Sequence, residues 1–267
     1  MFKFQSLMSY MMPAHFGPRY AGPGTSGWYR DVTTMVIPYV TDREKLAAYL
    51  PEHFEVAEEA VITVYFACNK QIDWLAGRGY NMIGVNANVI YKGKEETLEG
   101  TYSLVIWENL TDPILTGREM QGIPKIYADI PDHAISQNRW TTNASHFGNK
   151  IIDLSLSNLR APSLDEIAFM HQKSQGKDTP MGWRFLQNAG KEGVSEYTTF
   201  PSENHFKQVM LGEGSVKWNQ LSWEENPTQY QIVNALADLP ILEYRPALMT
   251  KGATNLLVPE NMPRALK

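Results

Sequence analysis

The sequence predicts an α+β fold that is mainly β, and three observations predict it. Apolar, β-branched runs of strand length recur along the chain: Val32 to Val40, Ala60 to Ala67, Met82 to Tyr91, Thr101 to Glu108, Trp140 to Ala144, Lys150 to Leu156, Ser215 to Trp223 and Ile241 to Leu248. Helical patterns are few and short. Strands do not alternate with long helices, which argues for an antiparallel sheet or barrel and against a βαβ architecture.

Residues 1–30 are rich in Pro, Gly, Met and Tyr without a period, and read as an irregular N-terminal arm. Pro38 places the end of the first strand, or an edge, near that point. Thr41-Asp42-Arg43-Glu44 then spells a capping box, with Thr41 as N-cap and Glu44 three residues on. Leu46, Ala47 and Leu50 share one face of the helix that follows, and Pro51 ends it. Gly84 is the expected bulge in the Met82 to Tyr91 strand. Short helices are expected over Leu164 to Gln172 and Glu203 to Leu211. The polar, Gly-rich stretch 174–196 reads as a long loop. No repeat or composition shift divides the chain, so 1–267 is read as one domain.

Composition narrows the function classes. Lys plus Arg number 24 against 29 Asp plus Glu, a net charge of -5. No basic patch stands out, and the densest run, Lys92 to Glu99, mixes both signs, so no nucleic-acid partner is expected. Cys68 is the single cysteine, which excludes an internal disulfide and Cys-x-x-Cys metal pairs. The six histidines are scattered without ligand spacing, and neither a metal nor a cofactor is called for. No apolar run suits a signal or a membrane span, so a cytoplasmic protein without a membrane partner is expected. Gly22-Pro23-Gly24-Thr25-Ser26-Gly27 formally matches GxGxxG, but no strand precedes it and Pro23 removes an amide; it reads as a loop. No Gly-x-Ser-x-Gly elbow is present.

The informative stretch runs from Glu108 to Ala128. Within it, Gly117-Arg118-Glu119 is followed by Gln121 and then by Pro124-Lys125-Ile126. A lysine flanked by apolar residues is costly to bury in its charged form; locally it is a snorkelling lysine at a strand end or a reactive amine.

Gly117-Arg118-Glu119 with Pro124-Lys125 resembles the signature of the acetoacetate decarboxylase family. Trp28-Tyr29-Arg30-Asp31, the capped helix with Leu50-Pro51-Glu52, and Leu239-Pro240 to Pro259 follow in the family's order more thinly. The resemblance implies a cone-shaped antiparallel β-barrel with peripheral helices, and a homo-oligomer of four or more subunits. It also implies that Lys125 is a Schiff-base nucleophile. An ordinary lysine, with a pKa of about 10.4, is only about 0.04% neutral at pH 7. An apolar pocket or a nearby cation raises that fraction, an established device of this family. The barrel interior is expected to be the dry environment of the amine.

The chain departs from the decarboxylases. Ile126 stands where a second lysine commonly follows the nucleophile, and the family's acids fall on Met82 and near Val64. Gln121 instead resembles members that bind pyruvate-like 2-oxo acids. The reading is therefore a Schiff-base lyase acting on a small oxo acid, favoured as aldol condensation and dehydration of pyruvate with an aldehyde. Acetoacetate decarboxylation is the alternative within this class, and a non-catalytic binding barrel the alternative outside it. Glu119 either orients a polar group in the site or pairs with Arg118. Gln121 and Arg118 are candidate substrate contacts, Arg30 a bidentate carboxylate clamp, and Tyr80 a wall or proton donor.

Overall fold

A computed structural model describes residues 3–5, 10–18, 26–168, 179–256 and 263–267. Residues 22–25 of the glycine-rich stretch lie outside the described residues. The first strand, β1 (Trp28–Val40), is followed by α1 (Arg43–Ala47), β2 (Phe54–Val56), β3 (Val61–Ile72), β4 (Tyr80–Lys92) and β5 (Thr97–Glu108). Then come α2 (Thr111–Thr116), a π turn (Gly117–Gln121), β6 (Lys125–Tyr127), β7 (Ala134–Ser136), β8 (Arg139–His146) and β9 (Asn149–Arg160). The helix α3 is described over residues 164–168. The chain continues through β10 (Pro180–Asn188), β11 (Lys191–Thr199), β12 (Glu203–Trp218), α4 (Tyr230–Ala237), β13 (Glu243–Tyr244), β14 (Ala247–Asn255) and β15 (Arg264–Ala265).

All the strands join one sheet, whose main path runs β15-β11-β10-β5-β4-β3-β1-β14-β12-β9-β8-β7. The long pairings are antiparallel, while β5 pairs in parallel with β6 and β10. Five steps separate β5 from β12, which would span about 24 Å if flat, at about 4.8 Å per step. Yet the rings of Trp107 on β5 and Trp218 on β12 lie 6.2 Å apart. The sheet therefore curls. The segment after β6 closes it: Ala128 N donates to Glu108 O, and Asp129 exchanges backbone hydrogen bonds with Ser145 on β8. The expected barrel is thus present, and its last staple is the short segment that begins at Lys125.

Alternation along the strands sorts side chains onto two faces. Met35 and Ile37 on β1, Val64 and Phe66 on β3, Ile83 and Val85 on β4, and Trp107 on β5 share the main core. A smaller cluster of Tyr29, Val32, Ile72 and Tyr80 lies apart from it.

Several elements differ from expectation. Asp42, not Thr41, caps α1: its Oδ1 accepts from Lys45 N at 2.9 Å, while Thr41 N is engaged by Ala60 O. The bulge lies on β5 rather than at Gly84: Val85 pairs with Val105 and Asn86 with Ser103, leaving Leu104 over, while Gly84 admits the Tyr65 ring, which a Cβ there would strike at 2.4 Å. The expected helix at 203–211 is the start of β12, held by its ladder to β14. Within 174–196, residues from Pro180 onward build the β10–β11 hairpin rather than a loop. Gly190, at φ 71°, supplies the turn, and Trp183, Phe185 and Tyr197 supply a strand-like apolar face.

Candidate active site

The site is assembled by the sixteen-residue connection between β5 and β6. Pro113 sits in the first turn of α2, where its missing N–H forfeits no helical hydrogen bond. The helix then widens into the π turn and stops at Gly122, whose φ of 75° is the left-handed conformation glycine favours. Ile123 N donates back to Gly117 O, and Ile106 N donates to Pro124 O of the incoming chain. Lys125 is thereby delivered opposite Ile106, parallel to β5.

The Lys125 amine lies 2.8 Å from Glu108 Oε1, with the two side chains 8% and 0% exposed. It also donates to Pro113 O at 3.3 Å. Gly117 makes room for it: a Cβ there would sit 2.5 Å from Lys125 Cδ and 2.6 Å from Cε. Burial raises the Glu108 pKa, and the charge of Lys125 only partly offsets this. Both Glu108 oxygens lack a well-directed hydrogen bond. A carboxylate of raised pKa beside a buried amine is equipped to exchange protons.

Register defines the walls. Met82 on β4 is the cross-strand partner of Glu108, and Tyr80 shares its face two residues away. The Tyr80 and Tyr29 hydroxyls are 3.1 Å apart, and Trp74 Nε1 donates to the Tyr29 hydroxyl oxygen at 3.2 Å. Burial raises the pKa of both tyrosines. The Lys125 charge counteracts this at Tyr29, whereas Tyr29 and Glu108 reinforce it at Tyr80. By strand alternation Lys125 and Glu108 lie on the face opposite to Trp107 and the main core.

The other residues singled out in the sequence have distinct places. Arg118 is exposed and donates to the Lys125 carbonyl at 3.0 Å rather than to Glu119. Glu119 and Gln121 are half-buried on the π turn. Their backbone carbonyls accept from Arg184 Nε on β10 and Thr198 Oγ1 on β11, so the hairpin holds the turn from behind. Arg30 makes two hydrogen bonds to Asp73, at 2.8 and 2.6 Å, with its side chain 55% exposed. Ile126 packs against the main core, and Val64 is buried within it. A side chain at 126 therefore points away from the amine, and the neighbour of Lys125 is a carboxylate instead of a cation.

Glu108 was the residue sequence reasoning missed as a participant. Its signal was a carboxylate ending the apolar run Leu104-Val105-Ile106-Trp107. Cys68 behaves as a small buried hydrophobe, its thiol pushed up to about 11 by burial. Among the described residues no group of His, Cys, Asp and Glu is arranged to hold a metal. No described helix is long and apolar enough to cross a membrane.

The acetoacetate decarboxylase family model matches residues 11–255. The decarboxylase DEC1 of Cochliobolus heterostrophus is 25% identical over 254 residues, covering 89% of this chain and 88% of its own. The acetoacetate decarboxylase of Paraburkholderia phytofirmans is 33% identical over 95 residues, 36% of this chain and 35% of its own. Among solved structures, Legionella pneumophila acetoacetate decarboxylase superposes with a TM-score of 0.72 at 16% identity, covering 94% of this chain and 92% of that one. The enduracididine biosynthesis enzyme MppR, bound to the condensation product of pyruvate and imidazole 4-carboxaldehyde, superposes with a TM-score of 0.64 at 13% identity, covering 90% and 89%.

Proposed function

From the premise that this chain belongs to the acetoacetate decarboxylase family, we propose that it is a Schiff-base lyase of small oxo acids with Lys125 as nucleophile. The observation that carries the reading is the buried contact of 2.8 Å between the Lys125 amine and Glu108. Glu108 accepts the proton that the ammonium sheds. The neutral amine adds to the substrate ketone, and loss of water leaves a protonated imine.

Condensation with dehydration is the favoured continuation, because it needs a base beside the imine. Glu108 removes a proton from the pyruvate C3 methyl, giving the enamine. The enamine carbon attacks an aldehyde carbonyl, forming the C–C bond, and the new alkoxide takes a proton. A second C3 proton and the hydroxyl then leave as water. Hydrolysis of the imine frees the unsaturated 2-oxo acid and regenerates Lys125. Gln121, Arg118, Glu119 and Tyr80 are the proposed substrate-facing groups, with Arg30 as a rim cation engaged by Asp73.

Decarboxylation of acetoacetate is the second reading, favoured by the likeness to a decarboxylase and to an acetoacetate decarboxylase. There the imine loses CO2, and protonated Glu108 returns a proton to the enamine carbon. Product analysis decides between them. Pyruvate plus an aromatic aldehyde is expected to give a conjugated product of rising ultraviolet absorbance, and acetoacetate to release little CO2. Fast CO2 release without condensation would reverse the preference. Failure of both, with no reducible adduct, would leave the binding-barrel reading. Light scattering tests the proposed homo-oligomer.

A further inference from the structure

We propose that Gln229, outside the site and more than a hundred residues from Lys125 in sequence, is a positioning residue for the Lys125–Glu108 pair. Its side-chain Oε1 accepts from Trp107 Nε1 at 2.8 Å, and its Nε2 donates to Tyr127 O at 2.8 Å. One buried amide, 6% exposed, thus ties β5 to β6. Trp107 immediately precedes Glu108. Tyr127 is two residues beyond Lys125 and stands in register with Glu108.

The arrangement matters because β6 is only three residues long. A one-residue slip on β5 would turn the Lys125 side chain to the opposite face. Gln229 is itself fixed at the start of α4: its carbonyl accepts from Ile232 N and Val233 N, and its N–H donates to Asn226 O. Both polar groups of its amide are used inside the protein, where leaving the Trp107 N–H unpaired is costly. The clamp therefore fixes the separation of the amine and the carboxylate without touching either.

The inference rests on Lys125 and Glu108 being the reactive pair, but its test needs no turnover. The probe is acetic anhydride, with acylation of Lys125 followed by peptide mass spectrometry across pH and exposed Lys70 as reference. In Gln229→Met the midpoint of the Lys125 profile is expected to move by about one pH unit, a tenfold change in the proton equilibrium, with Lys70 unmoved. Gln229→Glu keeps the acceptor for Trp107 and loses the donor to Tyr127; it should shift the profile less, and it carries the same criterion if the methionine variant does not fold. Asn234→Ala removes an amide clamp of the same kind, one that holds the Leu221 backbone, and is expected to leave the Lys125 profile as in the wild type. An unmoved Lys125 profile in the Gln229 variants, or an equal shift in Asn234→Ala, overturns the inference. Borohydride trapping of pyruvate on the same samples reports separately on the proposed reaction: wild-type protein that does not trap while the Gln229 shift stands would sink the reaction and leave the clamp.

Discussion

Two lysine–carboxylate pairs in this molecule have nearly the same length and opposite character. Lys125 and Glu108 meet at 2.8 Å, Lys70 and Asp132 at 2.9 Å. Asp132 is 60% exposed, and Asn81 Nδ2 donates to it at 2.7 Å. That hydrogen bond, with the Lys70 ammonium, holds the Asp132 carboxyl below its ordinary value. The Glu108 side chain is fully buried, and burial outweighs the Lys125 charge and pushes it the other way. Separation alone does not make an ion pair; solvent and neighbouring donors decide whether a proton stays put or can move.

The contrast is broken most severely at its buried end. Lys125→Ala is expected to abolish reducible adduct formation, which intact-mass spectrometry after borohydride would reveal. Glu108→Gln should lower kcat by about 10² to 10⁴, the usual worth of a positioned acid or base. It should also remove the acidic limb of the kcat/KM profile, a limb expected above the ordinary glutamate value of about 4.3. Gly117→Ala comes next. The added methyl meets a flexible side chain, so the lysine is displaced more than the fold is strained. A loss of at least about tenfold in kcat is expected, with a stability change of about 1 to 3 kcal/mol in a denaturant titration.

Removing the exposed lysine should do much less. Lys70→Met is expected to cost under about 1 kcal/mol and to leave kcat unchanged, as for other exposed pairs. The pH dependence separates the pairs by sign. Asp132 binds its proton more weakly in the folded protein, so its stabilisation is present above about 3.9 and is lost as pH falls through the lower folded value. Glu108 binds its proton more tightly when folded. Its contribution is fully present below about 4.3 and is lost as pH rises through the raised value. Urea titrations of Asp132→Asn and Glu108→Gln across pH should therefore diverge from wild type in opposite directions.

Much of this was legible in the residues. The apolar runs that became β3, β4, β5, β8 and β9 announced themselves by composition, and Lys125 by its flanking Gly117-Arg118-Glu119 and Pro124. The failures share a cause. Glu108, Gln229 and the hairpin β10–β11 acquire their roles through partners far away in sequence. Glu108 needs the parallel register of β5 with β6, and Gln229 needs Trp107 and Tyr127, 122 and 102 residues away. The segment 203–211 reads as a short helix on its own, and its ladder to β14 overrides that local preference. Arg118 and Glu119, adjacent and opposite in charge, suggested a pair, yet the π turn sends the guanidinium to the Lys125 carbonyl.

The most direct measurement of the central claim is the location of the reduced adduct. After incubation with pyruvate or acetoacetate and borohydride, peptide mapping should find the substrate-sized mark on Lys125 and leave Lys70 unmodified. A mark distributed over exposed lysines, or an unmodified Lys125 with both oxo acids, would contradict the assignment of the buried pair as the reactive centre.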